Sequence, residues 1–218
     1  MATLLLRLAG PLQSWGHSSK FERRTTGREP TKSGVVGLLA AALGRGREES
    51  VDDLNALKFG VRIESAGQLL RDYQTATSAK NSYVTERYYL ADAVFIVGVE
   101  GDREFLEEIE NAVKSPVYPL FLGRRSCPPV GPICCGIRDW PLMQVLEKTV
   151  VGDSDVQACE AKVIVVDADT PTAIRRRDFP HSFDQAYRKH DFRYITEIRT
   201  HHDAFNSGLE GSDDIITD

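Results

Sequence analysis

The sequence contains no long hydrophobic run. Nowhere does it approach the ~18 consecutive apolar residues that a bilayer-crossing helix needs, so no membrane partner is expected. Its opening, MATLLLRLAG, lacks a basic leading region, is broken by Arg7 and meets Gly10-Pro11 at once. It therefore reads as a strand rather than a secretory signal, and a cytoplasmic protein is expected. Cysteine is scarce: Cys127, Cys134, Cys135 and Cys159 form no C-x-x-C pair, which excludes a zinc site of ordinary spacing and a disulfide framework. They read as reduced thiols packed as small apolar residues. No G-x-S-x-G setting for a nucleophile is present. His190-Asp191 and His202-Asp203 have the form of metal-phosphohydrolase dipeptides, but no further His or Asp stands at ligand spacing, so no metal is expected. The stretch 27–33, GREPTKS, carries Thr31 where a phosphate-binding P-loop needs the glycine that lets backbone amides wrap a phosphate, which argues against nucleotide hydrolysis. No cofactor is expected and no catalytic residue is assigned. His17 and Lys20 are the only pair considered for acid–base RNA cleavage, and nothing in their spacing demands it.

What is present is charge of uneven distribution. The 218-residue chain has a formal net charge of −5, which at face value speaks against a nucleic-acid partner. Residues 1–47, however, hold eight Lys or Arg against Glu22 and Glu29, a net +6, while the last sixteen residues carry five acids and no base. Phosphate contacts act within about a Debye length, ~8 Å at physiological salt, so the local excess matters more than the whole-chain value.

The pattern of elements reads as α+β. TLLLRL at 3–8 is a buried strand closed by Gly10-Pro11. Residues 12–30 form a basic loop longer than compact domains usually tolerate without a function. A helix capped by Thr31 or Ser33 runs through GVVGLLAAAL to Gly44, apolar nearly all round, and a short helix is expected near 51–57. FGVRIE at 59–64 alternates as a half-buried strand, DAVFIVGV at 92–99 is another, and Asp102 caps an amphipathic helix to about Lys114. The order β-α-β-β-α is most of a split βαβ, ferredoxin-like unit, with two candidates for its closing strand, 132–137 and 162–167. Residues 65–91, between the second and third strands, are too long for a hairpin turn and read as two extended ribs leaving the core. The expected organisation is a palm of residues 1–64 and 92–205, a thumb insertion at 65–91, and a disordered acidic tail at 206–218.

Several groups suit single-stranded RNA, where arginines hold phosphates and planar groups stack on bases. Gln13, Ser14, Trp15, Lys20, Arg24, Thr26 and Arg28 lie in the basic loop; composition fits either RNA contact or a solvated loop with its aromatics tucked inside. Thr31, Lys32 and Ser33 stand at a helix N-terminus, equally a phosphate seat or a simple cap. Arg124 and Arg125, in a glycine-bearing turn, fit phosphate contact or surface ion pairs alike. Arg71, Tyr73, Arg87, Tyr88 and Tyr89 either clamp a ligand or pack the two ribs. Arg175-Arg176-Arg177 reads as a solvated basic run.

LRLAGPLQSWG at 6–16 with Phe21, TGREPTKSGVVGLLAAALG at 26–44, LRDYQT at 70–75, ERYYLADAVF at 86–95 and LGRRSCP at 122–128 resemble, in the same order, blocks of the CasD family of type I-E CRISPR Cascade. The blocks span roughly residues 3–130; residues 140–218 match loosely. The resemblance implies a ferredoxin-like (RRM-related) palm with an inserted extended thumb between the second and third strands. It implies a non-catalytic subunit that holds the 5′ handle of the CRISPR RNA, abuts the CasC backbone subunit and the CasA large subunit among other Cascade subunits, and meets target DNA near the handle only indirectly. By the same resemblance Arg87 is the thumb arginine where handle meets spacer, and Arg24, Thr26, Arg28 and Lys32 line the handle. Two competing functions are a metal-independent endoribonuclease cutting repeat RNA and a bare protein–protein adaptor.

Overall fold

The computed structural model describes residues 1–16, 23–77, 82–149, 162–168 and 173–200; the expected tail, Lys20 and Cys159 lie outside them. Two sheets organise the chain. The larger has seven strands in the order β10-β11-β9-β4-β7-β1-β8: Ile174–Ser182, Lys189–Thr200, Lys162–Asp167, Lys58–Ser65, Val94–Gly101, Ala2–Ala9 and Cys134–Arg138. Every pairing within it is antiparallel. In the smaller sheet β6 (Ser82–Ala91) pairs along its whole length with β5 (Gln68–Thr77). Its other edge takes β2 (Leu12–Gln13) and, in parallel, β3 (Arg23–Arg24).

Local signals set the helix ends. The Thr31 hydroxyl accepts from the Gly34 amide at 3.2 Å and starts α1 (Lys32–Ala42); just past the helix, Gly44 takes φ +78°, which a side chain would strain. The short α2 is Asp52–Ala56. The Asp102 carboxylate accepts from the amides of Glu104 and Phe105 and starts α3 (Arg103–Lys114), whose buried stripe is Leu106, Ile109 and Val113. Alternation along β1 divides the core. Leu4, Leu6 and Leu8 join the cluster under α1 and α3, while Leu5 joins a second cluster on the opposite face, under α4 (Leu142–Lys148).

The fourth helix was not foreseen, and it changes the reading of β4. Arg62, expected to face solvent as a polar residue of a half-buried strand, is only 3% exposed. Its Nη1 and Nη2 donate to the Leu146 and Thr149 carbonyls (2.5 and 2.7 Å) at the end of α4, and its Nε to Glu64. At the other end of α4, Glu100 accepts from the Leu142 amide at 2.7 Å and pairs with Lys58 at 2.6 Å. Burial alone would raise the Glu100 carboxyl; Lys58 and that amide outweigh it and hold it below the ordinary value. Gly60 and Gly98, register partners on β4 and β7, leave the dent into which the helix sinks: a Cβ on either would meet a leucine methyl of α4 at 2.7 or 2.5 Å. Both candidate closing strands are strands of the one sheet, β8 beside β1 and β9 beside β4. Among the described residues no helix is long and apolar enough to cross a membrane.

Candidate nucleic-acid interface

Three backbone segments lie side by side next to β6. The Ser14 amide donates to the Leu122 carbonyl at 3.1 Å, and the Trp15 carbonyl accepts from the Gly27 amide at 2.7 Å. Gly123, at φ +83°, has no room for a side chain, since a Cβ would lie 1.9 Å from the Ser14 carbonyl oxygen. The turn that bears Arg124 and Arg125 is thereby pressed against the strand that bears Gln13.

Several of the expected ligand contacts build this platform instead. Gln13 is fully buried; its amide donates to the Leu8 and Ala93 carbonyls (3.1 and 2.7 Å) and its oxygen accepts from the Trp15 indole at 3.0 Å. Ser14 is buried and donates to the Tyr88 carbonyl at 3.0 Å, and the Trp15 ring lies under Gly34. None of these three side chains faces solvent. Thr26 ties the loop down by accepting from the Trp15 amide at 2.9 Å. Thr31 is the cap already described, and Ser33 is half-buried beside it.

Lys32 departs most from expectation. The residue is 5% exposed, its ammonium turns inward to the Leu57 carbonyl (3.2 Å) and Asp167 (3.4 Å), and burial holds its pKa below the ordinary lysine value. The amide of Lys32 donates to Asp178 at 2.9 Å. Asp178 in turn accepts from Arg193 at 2.7 and 2.9 Å, and Arg193 reaches Asp167 at 2.6 Å. The α1 N-terminus is thus filled by a carboxylate of its own chain. Sequence alone gave no signal for this, because Asp167, Asp178 and Arg193 are far along the chain.

On the outer side of the small sheet the arginines gather. Parallel pairing sets Arg24 of β3 directly beside Arg87 of β6, so their side chains share one face. Neither guanidinium has a hydrogen-bond or ion-pair partner among the described residues. Asp72 stands opposite Arg87 on β5 but is engaged by the Gln74 amide at 3.1 Å. Arg124 completes the row. Its Nη2 donates to the Arg24 carbonyl at 2.9 Å, and its guanidinium lies 4.8 Å from the centroid of Tyr89, two residues along β6 from Arg87. Its Nη1 is buried without a hydrogen-bond partner. Arg28 and Arg125 are exposed near this shelf in sequence. The other face of the hairpin is self-satisfied: Arg71 pairs with Glu86 at 2.5 Å and lies 5.5 Å over the Tyr73 ring, and the Tyr88 hydroxyl donates to Glu86.

A groove of about 940 Å³ begins at Ser14 and Gly123 and runs along α1. Its floor is small, with Gly34, Gly37 and Ala41, and Arg45, Arg47, Arg125 and Arg188 line it as well. Composition gave no warning of it, since its walls come from four separate stretches of the chain.

An α+β protein with this shelf is matched by the family described as CRISPR-associated protein (Cas_Cas5), over residues 3–196, and the chain belongs to that family. The resemblance to CasD holds more closely. The chain is 39% identical to CRISPR system Cascade subunit CasD of Escherichia coli (strain K12) over 157 residues, covering 61% of this chain and 70% of that protein. Among solved structures it is similar to a chain of a CRISPR RNA-guided surveillance complex, with TM-score 0.77 and 32% identity over 91% of this chain and 90% of that one. It is also similar to a chain described as a Cas protein crystal structure, with TM-score 0.71 and 39% identity over 90% and 94%.

Proposed function

We propose that this protein is a non-catalytic subunit of a type I-E Cascade ribonucleoprotein that grips the 5′ handle of the CRISPR RNA. The observation that carries the reading is the pair Arg24–Arg87. Like charges set directly opposite on neighbouring strands destabilise a sheet, and Asp72, in register with Arg87 on β5, brings one negative charge against two and does not fully offset them. A polyanion would. Arg124, its guanidinium 4.8 Å from the Tyr89 centroid and tied to the Arg24 carbonyl, adds a third positive charge to the row.

On this reading the strands β8-β1-β7-β4, with α1 and α3 on one face, are a ferredoxin-like, RRM-related palm, and β5–β6 is the thumb within residues 65–91. The handle crosses the arginine shelf and enters the groove along α1. Arg28 and Arg125 neutralise its phosphates, and Arg87 sets the strand where handle gives way to spacer. The subunit abuts CasC and CasA in the cytoplasm. Guide–target pairing, not this chain, reads the invading sequence. Lys32 has no place among the RNA contacts, since its charge is spent inside the fold.

The test is salt-dependent retention of guide RNA, together with target-DNA binding, in reconstituted complexes. Arg24→Ala or Arg28→Ala weakens retention by about 1 kcal/mol and makes its salt dependence shallower. Arg87→Ala disturbs target engagement beside the handle more than retention. Wild-type behaviour of all three variants would place the handle elsewhere, and specific cleavage of repeat RNA by the purified chain would replace binding with nuclease chemistry.

A further inference from the structure

We propose that the β10–β11 end of the large sheet is a second nucleic-acid surface, which holds a single strand by a stacked base and its neighbouring phosphates. The stacking platform of an RRM-like sheet is the open face of its central strands. In this protein that face is closed, because α4 seals it with Leu142, Val145 and Leu146 against Leu5 and Ile96. Farther out, the described elements leave the same face uncovered. Register carries it from Ile164 and Val166 of β9 to Ile198 and Thr196 of β11, and alternation continues it to Tyr194 and Phe192. These two rings are 50% and 41% exposed, and no described element covers them.

Basic residues frame the rings. Arg175, the register partner of Tyr194, has its guanidinium 3.6 Å from the Phe192 centroid, and Arg177 lies 5.9 Å from it. Cation–π contact holds Arg175 against the ring, and Arg177, whose Nε donates to the His190 carbonyl at 3.4 Å, keeps its terminal nitrogens for phosphate. The hairpin's carboxylates point away or are engaged. Asp178 is sealed beneath Arg193, Asp184 accepts from the Ala186 amide at 2.7 Å, Asp191 faces His181 at 3.4 Å, and Glu197 alternates to the opposite face. Exposed aromatics interleaved with uncompensated arginines bind single strands with little regard to sequence. Because base faces and phosphates are common to RNA and DNA, the strand is held without regard to its sugar. This surface belongs to the other sheet from the arginine shelf and stands or falls separately from it.

The test uses the full chain with a thymidine oligonucleotide of about 15 nucleotides carrying 5-iododeoxyuridine, and its ribouridine counterpart. Ultraviolet cross-linking followed by peptide mapping is expected to mark Phe192 or Tyr194. The double variant Phe192→Leu, Tyr194→Leu should lose about tenfold in affinity for both oligonucleotides. Tyr194→Phe should retain binding, and Arg175→Gln should weaken it with the rings intact. Arg24→Ala with Arg87→Ala should leave the cross-link in place. Cross-links confined to β3 and β6, unchanged affinity of the leucine variant, or a preference above about tenfold for one sugar would each overturn the proposal. Loss of guide retention in the Arg24 and Arg87 variants, with the cross-link to β11 kept, reports on the shelf, so failure of either reading is seen separately.

Discussion

Two groups of cations in this protein are built from the same residue types and behave as opposites. Lys32, Arg62 and Arg193 are buried, and carboxylates or carbonyls answer each of them: Asp167, Asp178, Glu64, and the ends of α4 and β4. Arg24 and Arg87 stand side by side on the small sheet with no such answer among the described residues. Lys32 and Arg62 join parts of the chain more than eighty residues apart and Arg193 ties β11 to β9 and β10, so the work of the first group is done once the chain has folded. The second keeps its hydrogen-bonding capacity unspent among the described residues. A basic residue's use is thus decided less by its type than by whether the fold supplies its anion.

The comparison breaks most sharply at Asp178. Asp178→Ala leaves Arg193 half-paired and the α1 amide of Lys32 without its acceptor, and we expect a loss of about 3–5 kcal/mol in denaturant unfolding. Arg62→Ala uncaps α4 and strands Glu64 beside Lys162; about 2 kcal/mol is expected, with increased hydrogen exchange in residues 142–149. Arg24→Ala and Arg87→Ala should change stability by less than about 0.5 kcal/mol and, if anything, raise it, because they relieve repulsion. A melting temperature lowered as far as that of the Arg62 variant would show that the shelf arginines are structural and collapse the distinction.

The smallest effect concerns pH. Burial, then Arg188 and Arg177, hold the His190 imidazole below its ordinary value. A depressed folded-state value gives stability that is present above the unfolded value of about 6.5 and is lost as pH falls below it, because the unfolded chain takes up the proton first. Unfolding followed between about pH 7 and 5 should show this decline, and His190→Gln should flatten it.

Features that depend on neighbours in sequence were legible. Thr31, Gly44 and Asp102 end their helices through residues at most three positions away, so spacing revealed them. The alternation of 59–64 was legible as a strand but not as one covered on both faces, because the cover, α4, lies more than eighty residues downstream. The two rival closing strands could not be ranked for a related reason: the sheet extends past its expected four strands and uses both. At the candidate site the residue chemistry was visible and the adjacency was not. Arg24, Arg87 and Arg124 were each noticed, but only the parallel pairing of β3 with β6 and the Gly123 turn put them in one row. Gln13, Ser14 and Trp15 looked like ligand contacts because polar groups that satisfy buried carbonyls have the same composition as polar groups that await a ligand.

The paired glycines 60 and 98 make the closed platform something a reader of sequences can look for. In a homologue with side chains at both positions, α4 could not sit at this depth, and the central strands would be exposed to whatever the surroundings offered. Aromatic residues on those strands would then have a use that they lack here. Two glycines thirty-eight positions apart therefore serve as a marker for sorting relatives into those with a sealed sheet face and those with an open one, before any of their structures is known.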